Sequence, residues 1–122
     1  MADQYLMHPD SKVVCAHVTS TIANNGTAST SVKTAGFRYG AYLVPSGFTG
    51  TALTFQGSED DSTFADINDS ASTPAIVQHT LGAGTKGEWI LLPDACMRHA
   101  YLKCTSGSAE GAERTIKWSF KS

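Results

Sequence analysis

Residues Leu53–Ile67 read LTFQGSEDDSTFADI. Leu53 and Phe55 alternate with Thr54 and Gln56, the period of two that marks a strand with one buried face. Acidic residues and serines interrupt that period, and Phe64–Ile67 resumes it. The segment is therefore expected to be a strand, a polar turn and a return strand. Glu59, Asp60, Asp61, Asp66 and Asp69 fall within eleven residues, so the turn is either architecture or a cation site. Calcium takes six to eight oxygen ligands. The EF-hand pattern is absent, with no Asp at alternate positions and no Gly at the sixth. Consecutive acids on an extended backbone point to opposite faces. The reading is a solvated turn in which Asp and Ser side chains bond their own backbone, holding no metal that the fold depends on.

Working outward, the same alternation recurs in short runs bounded by Gly, Pro, Asn, Asp and Ser. KVVCAHVTST, Lys12–Thr21, places Val14, Ala16 and Val18 on one face, and Asn24-Asn25-Gly26 after it signals the turn of a tight hairpin because Asn and Gly tolerate positive φ. A Ser/Thr-rich stretch with Val32 follows. FRYGAYLVP, Phe37–Pro45, sets Tyr39, Ala41 and Leu43 against Arg38, Gly40 and Tyr42. After the opening segment come a short run, Ala75–His79, and a loop with three glycines, Leu81–Gly87. EWILL, Glu88–Leu92, and AYLKCTS, Ala100–Ser106, flank a compact PDACMRH turn, and RTIKWSF puts Ile116, Trp118 and Phe120 on one face. No window sustains helical spacing. The chain is expected to be all-β: an antiparallel β-sandwich, jelly-roll or galactose-binding-like, of about eight strands. It would span residues 12–122, preceded by an N-terminal arm, residues 1–11. Tyr5, Leu6 and Met7, with His8 and Pro9, give that arm apolar surface to bury on a partner.

A chain of 122 residues is one domain with a core of its own. Nine basic residues against eleven acidic leave a net charge of −2, so no basic stripe is available to neutralise phosphates and no nucleic-acid partner is expected. No apolar run reaches the roughly 20 residues of a membrane span, and MADQYLMHPDSK lacks the pattern of a secretory signal. Charged residues make up only 16% of the chain, sparse for a protein that solvates its whole surface. A Thr-rich, weakly charged surface suits a protein that hides part of itself against neighbours.

Cys96, His99 and Cys104 read C-x2-H-x4-C, with Cys15, His17 and His79 elsewhere. Zinc takes four tetrahedral ligands. Only three cluster here, and Cys104 alternates with Ala100 and Leu102 as a core residue. The three cysteines read as reduced thiols packed as small hydrophobes. No G-x-S-x-G elbow is present, and no carboxylate pair is singled out for glycoside hydrolysis. No catalytic residue and no cofactor are expected. Asn25-Gly26-Thr27 and Asn68-Asp69-Ser70 match the glycosylation sequon by chance. Phe55, Phe64, Trp89, Trp118 and Phe120 read as core aromatics rather than a sugar-stacking platform. Tyr39, Tyr42 and Tyr101 fit either role.

Two stretches carry a family likeness. PSGFTGTALTFQGSEDDSTFADI, Pro45–Ile67, resembles a pattern of small tailed-phage proteins: a Pro-led turn, an "LTFQxS" strand, an acidic turn and "TFxDL". WILLPDACMRHAYLKCTSGSAEGAERTIKW, Trp89–Trp118, is similar to their second half, with an "LxP" strand end, a "RYLKLxSG" strand and a final "ARTIxL" strand. The turn also resembles the "SxDGxTW" of galactose-binding-like sandwiches, with Ser58, Asp60 and Phe64 matching and Asp61 in the place of Gly. On this likeness Ser58 and Asp60 cap the turn, and Phe55 and Phe64 fill the core beside it. The resemblance implies a virion structural protein: a capsid decoration or cement protein, made in the host cytoplasm and carried on the capsid exterior. Its partners would be the major capsid protein and further copies of itself around a symmetry axis. Another virion role (tail, neck or fibre base) or a carbohydrate-binding module for host attachment is the alternative, and an enzyme is not expected.

Overall fold

The computed structural model describes residues 15–82 and 84–122. Among them are nine strands: β1 (Cys15–Ile22), β2 (Val32–Lys33), β3 (Tyr39–Leu43), β4 (Ala52–Ser58), β5 (Ala65–Asp66), β6 (Gln78–Thr80), β7 (Ile90–Leu91), β8 (Tyr101–Ser106) and β9 (Arg114–Lys121). One sheet has the order β1-β9-β3-β7; the other has β2-β8-β4-β5, with β6 also on β4. Every pairing is antiparallel. The fold is an antiparallel β-sandwich, as the alternation indicates, with β2 as the strand beyond the eight expected. The proposed arm lies outside the described residues, and with it Tyr5, Leu6, Met7, His8 and Pro9. No helix among the described residues is long and apolar enough to cross a membrane.

The two sheets close on one core. Ile22, Tyr42, Val44, Leu53, Phe55, Leu102, Cys104, Ile116, Trp118 and Phe120 are fully removed from solvent. Leu53 and Phe55 point inward from β4, and Ile116, Trp118 and Phe120 from β9, as their spacing requires. Trp118 lies opposite Val18 on β1 and Tyr42 on β3. Its ring stacks near Phe120 at 6.0 Å, and Tyr42 meets Phe55 edge-on at 5.5 Å. A buried indole N–H needs an acceptor, and Trp118 Nε1 donates to Ser20 Oγ at 2.8 Å.

The turn at Asn24-Asn25-Gly26 forms, with Gly26 N–H donating to Ala23 O at 2.8 Å and Asn25 carrying the positive φ of 67°. It is not a hairpin within one sheet. Ser29 still opposes Ile22, but Ala28 already bridges Thr105 of the other sheet. The turn thus carries the chain across the sandwich.

One placement decides what the sequence reading left open, and two differ from that reading. In β3 the buried side belongs to Tyr42 and, just beyond, Val44, while Tyr39 is exposed. Gly40 shares the inner face for want of room: a Cβ there would lie 2.7 Å from Leu92 Cδ1 and 2.9 Å from Phe120 Cδ1. Phe64 is not in the core; it lies partly exposed with Lys103 Nζ 4.5 Å from its ring centroid, and Ile67 takes the buried place. The PDACMRH turn is a short 3-10 helix, Asp94–Arg98, that tucks Cys96 and Met97 inward.

Candidate binding face

Antiparallel register puts the outward side chains of the four-stranded sheet into rows. Lys121 stands opposite both Cys15 and Tyr39, and Ser119 opposite both His17 and Ala41, with Ala41 in turn opposite Leu91. The third row holds Thr19, Lys117 and Leu43. Side chains of unequal size then make relief. Small Ala41 and Ser119 leave a depression that the Gly40 main chain also lines, and Tyr39, Trp89 and Leu91 stand beside it. The result is a groove of about 420 Å³ lined by these six with His17 and Lys121. Tyr39 is 62% exposed, Trp89 51% and Leu91 80%. Scattered surface apolar residues need no explanation, but a contiguous apolar patch marks an interaction site. Trp89 therefore leaves the core that its sequence pattern assigned it. In EWILL both alternating faces are apolar, so the pattern itself does not say which one turns inward.

The acidic turn is closed on itself. Ser58 Oγ accepts the N–H groups of Asp60 and Asp61 at 3.2 and 3.0 Å. Asp60 Oδ1 accepts from Ser58 Oγ at 2.9 Å, Ser62 N–H at 2.9 Å and Thr63 N–H at 2.8 Å. The N–H groups of Thr63 and Ser62, and the Ser58 hydroxyl, hold the Asp60 carboxyl below its ordinary range. Asp61 takes a left-handed backbone, φ 60°, and accepts a hydrogen bond from Ser31 Oγ. Glu59 turns the other way, to His99 Nδ1 at 3.2 Å. The carboxylates diverge, and the capping by Ser58 and Asp60 is the one the resemblance implies. Among the described residues no group of three or more His, Cys, Asp or Glu is disposed to hold a metal.

The Cys/His motif is likewise dispersed. Cys96 and Cys104 are buried, and burial pushes each thiol up to about 12. Such thiols are inert as nucleophiles at neutral pH. His99 instead packs over Gly57, where a Cβ would lie 2.5 Å from its ring. His79 hydrogen-bonds the buried Tyr42 hydroxyl through Nδ1 at 2.6 Å. Burial, with the nearby Cys104 and Cys96, raises the Tyr42 phenol well above its ordinary range, and burial lowers the His79 imidazole.

One cluster had no sequence signal. Glu110, fully buried, accepts Thr49 N–H at 2.8 Å and Arg114 Nε at 3.0 Å on Oε1. Its Oε2 accepts Gly50 N–H at 3.0 Å and Ser106 Oγ at 2.8 Å. Its main chain also exchanges hydrogen bonds with Asn25 and Gly26. One residue thus joins three loops at one end of the sandwich. Every carboxylate oxygen is used, so this is scaffolding; Ser106 and Arg114 are four residues away, but Thr49 and Gly50 lie some sixty residues off, too far to form a motif.

No protein-family model matches the chain, and no curated protein matches it. Among solved structures, the crystal structure of the SPBc2 prophage-derived protein YomS is similar in fold, with a TM-score of 0.56 at 11% identity. The alignment covers 89% of this chain and 96% of that one. At that identity the likeness is one of architecture alone.

Proposed function

We propose that this chain is a structural protein of a tailed-phage virion that decorates the capsid exterior, binding the assembled major capsid protein and reinforcing the shell. The observation that carries the reading is the exposed apolar face built by Tyr39, Trp89 and Leu91 on a rigid sheet. A rigid face loses little conformational entropy on docking, and repetition over a symmetric shell turns a modest contact into avidity. The prophage origin of the similar fold is in keeping with a phage protein, and the sparse charge with a surface that neighbours cover. The test is co-sedimentation with empty shells of the major capsid protein of the phage that encodes this chain. The wild-type protein should pellet with the shells. A Trp89→Ser, Leu91→Ser variant should stay in solution while keeping its melting temperature. Equal pelleting of the variant, or none by the wild type, refutes the reading.

A second reading is favoured by the same groove. Two exposed aromatic rings, Tyr39 and Trp89, with polar groups on His17, Ser119 and Lys121, also suit stacking and hydrogen bonding to a sugar. Titration of the Trp89 fluorescence with purified host surface polysaccharide separates the two. A saturable change there, with no pelleting on shells, selects the carbohydrate-binding module.

A further inference from the structure

The outer edge of β1 carries a different kind of surface. β1 terminates its sheet, with β9 on one side only. Eight residues long, it is the only terminal strand among the described residues that exceeds three. Natural proteins blunt such edges with charges, proline or bulges. CAHVTSTI has none of these: no Asp, Glu, Lys, Arg or Pro, and an unbroken register along β9 from Cys15 to Ile22.

The direction of its main-chain groups follows from one contact. Thr21 O accepts from Thr30 N–H at 2.9 Å, and Thr21 N–H donates to Thr30 Oγ1 at 3.1 Å. Thr21 therefore points its main chain away from β9, and by alternation so do Thr19 and His17. Among the described residues no hydrogen bond engages those N–H and C=O groups of His17 and Thr19. Thr30 closes the edge at Thr21, so the open window runs back from Ser20. Val18, in the middle of it, is an apolar side chain on the inner face that is nevertheless 37% exposed.

We infer that this edge pairs with the same edge of a second copy, antiparallel and centred on Val18. In that register His17 faces Thr19 of the second copy and Thr19 faces its His17, each pair exchanging two main-chain hydrogen bonds. Val18 meets its own counterpart in a non-hydrogen-bonded pair, where side chains approach most closely, about 4.5 Å between Cα atoms. The pairing spans Ala16–Ser20 of each copy and ends where Thr30 occupies the edge. Moving it toward Ile22 runs into Thr30, which bounds the register on that side, and centring on Val18 keeps every paired residue within the described strand. No charge on either strand opposes it. The two-fold axis stands perpendicular to the sheet, which keeps the outer faces of both copies on one side. The two grooves then lie on one continuous surface, and a partner array meets two sites at once. The pairing stands on the edge geometry alone and does not depend on the virion reading.

Thr19→Pro tests it directly. Proline removes the N–H that faces the second copy and leaves the bonds to β9, as edge positions tolerate. By sedimentation equilibrium the wild-type chain should form a dimer, and Thr19→Pro should raise the dissociation constant by at least about tenfold with an unchanged circular dichroism spectrum. A second variant reads the register whether or not the proline folds. In a Cys15→Ser background, Val18→Cys should cross-link to itself on mild oxidation, because a disulfide spans about 4.4–6.8 Å between Cα atoms. His17→Cys in the same background should not. A wild-type chain that stays monomeric at its highest soluble concentration overturns the inference. So does a Val18→Cys chain that cross-links no faster than His17→Cys.

Discussion

Replacing Glu110 by alanine removes a fully buried carboxylate that accepts four hydrogen bonds, from Thr49, Gly50, Ser106 and Arg114. Each bond to a charged group contributes about 1.5–3 kcal/mol. Bonds sharing one acceptor group are not additive, and burying the carboxylate itself costs energy that the variant is spared. The expected loss is about 3–5 kcal/mol, the usual cost of removing one partner of a buried charged pair. For a domain of this size that lowers the melting temperature by roughly 10–20 °C. The assay is urea denaturation at neutral pH, with Glu113→Ala, an exposed neighbour on the same loop, as a control expected to move by less than about 0.5 kcal/mol. The pH dependence is a second signature. Burial pulls the Glu110 carboxyl upward, but hydrogen bonds from Thr49, Ser106, Arg114 and Gly50 outweigh it and leave the group below its ordinary value. A carboxyl depressed on folding stabilises above its unfolded pKa, about 4.3 for Glu. That contribution is lost as pH falls through the folded value. The gap between wild type and Glu110→Ala should therefore be widest near neutrality and narrow in acid below about pH 4. A loss under about 1 kcal/mol at neutral pH, or a gap that widens in acid, refutes the reasoning.

Trp118→Ala should cost about 3–5 kcal/mol in urea melts, since the ring is fully buried and its N–H bonds Ser20; a cost under about 1 kcal/mol would mean the core tolerates its loss. Ser58→Ala should cost about 1 kcal/mol, because one hydroxyl accepts the N–H groups of Asp60 and Asp61 and donates to Asp60 Oδ1; no change in stability would show that solvent replaces it freely. Thermal melts in excess calcium and in chelator should overlay, because the Asp60 oxygen is occupied by N–H donors and the Glu59 carboxylate faces His99. A cation bound only by the folded state at a hundred times its dissociation constant would add about 2.7 kcal/mol, and a rise of several degrees would restore the acidic turn as a site.

What the sequence by itself determined is local. Alternation of apolar and polar residues placed Leu53 and Phe55 on β4, and Ile116, Trp118 and Phe120 on β9, because each of those strands has one apolar face and one polar face. Turn chemistry placed the Asn25 bend, and the resemblance implied the Ser58–Asp60 cap; both are local because their hydrogen bonds join residues three or fewer positions apart. Only the tertiary structure decided the rest. Where both faces of a strand are apolar, as in Phe37–Pro45 and Glu88–Leu92, alternation shows two faces without saying which one the opposite sheet covers. Tyr42 went in and Tyr39 out because Leu92 and Phe120 fill the space inside Gly40. Trp89 stayed at the surface, and Phe64 met Lys103 while Ile67 took the buried place. Glu110 reaches Thr49 and Gly50 across some sixty residues, and β1 became an edge only through the order in which strands pair. Both the buried cluster and the open edge arise from contacts between segments distant in the chain, and a local pattern carries no record of such contacts.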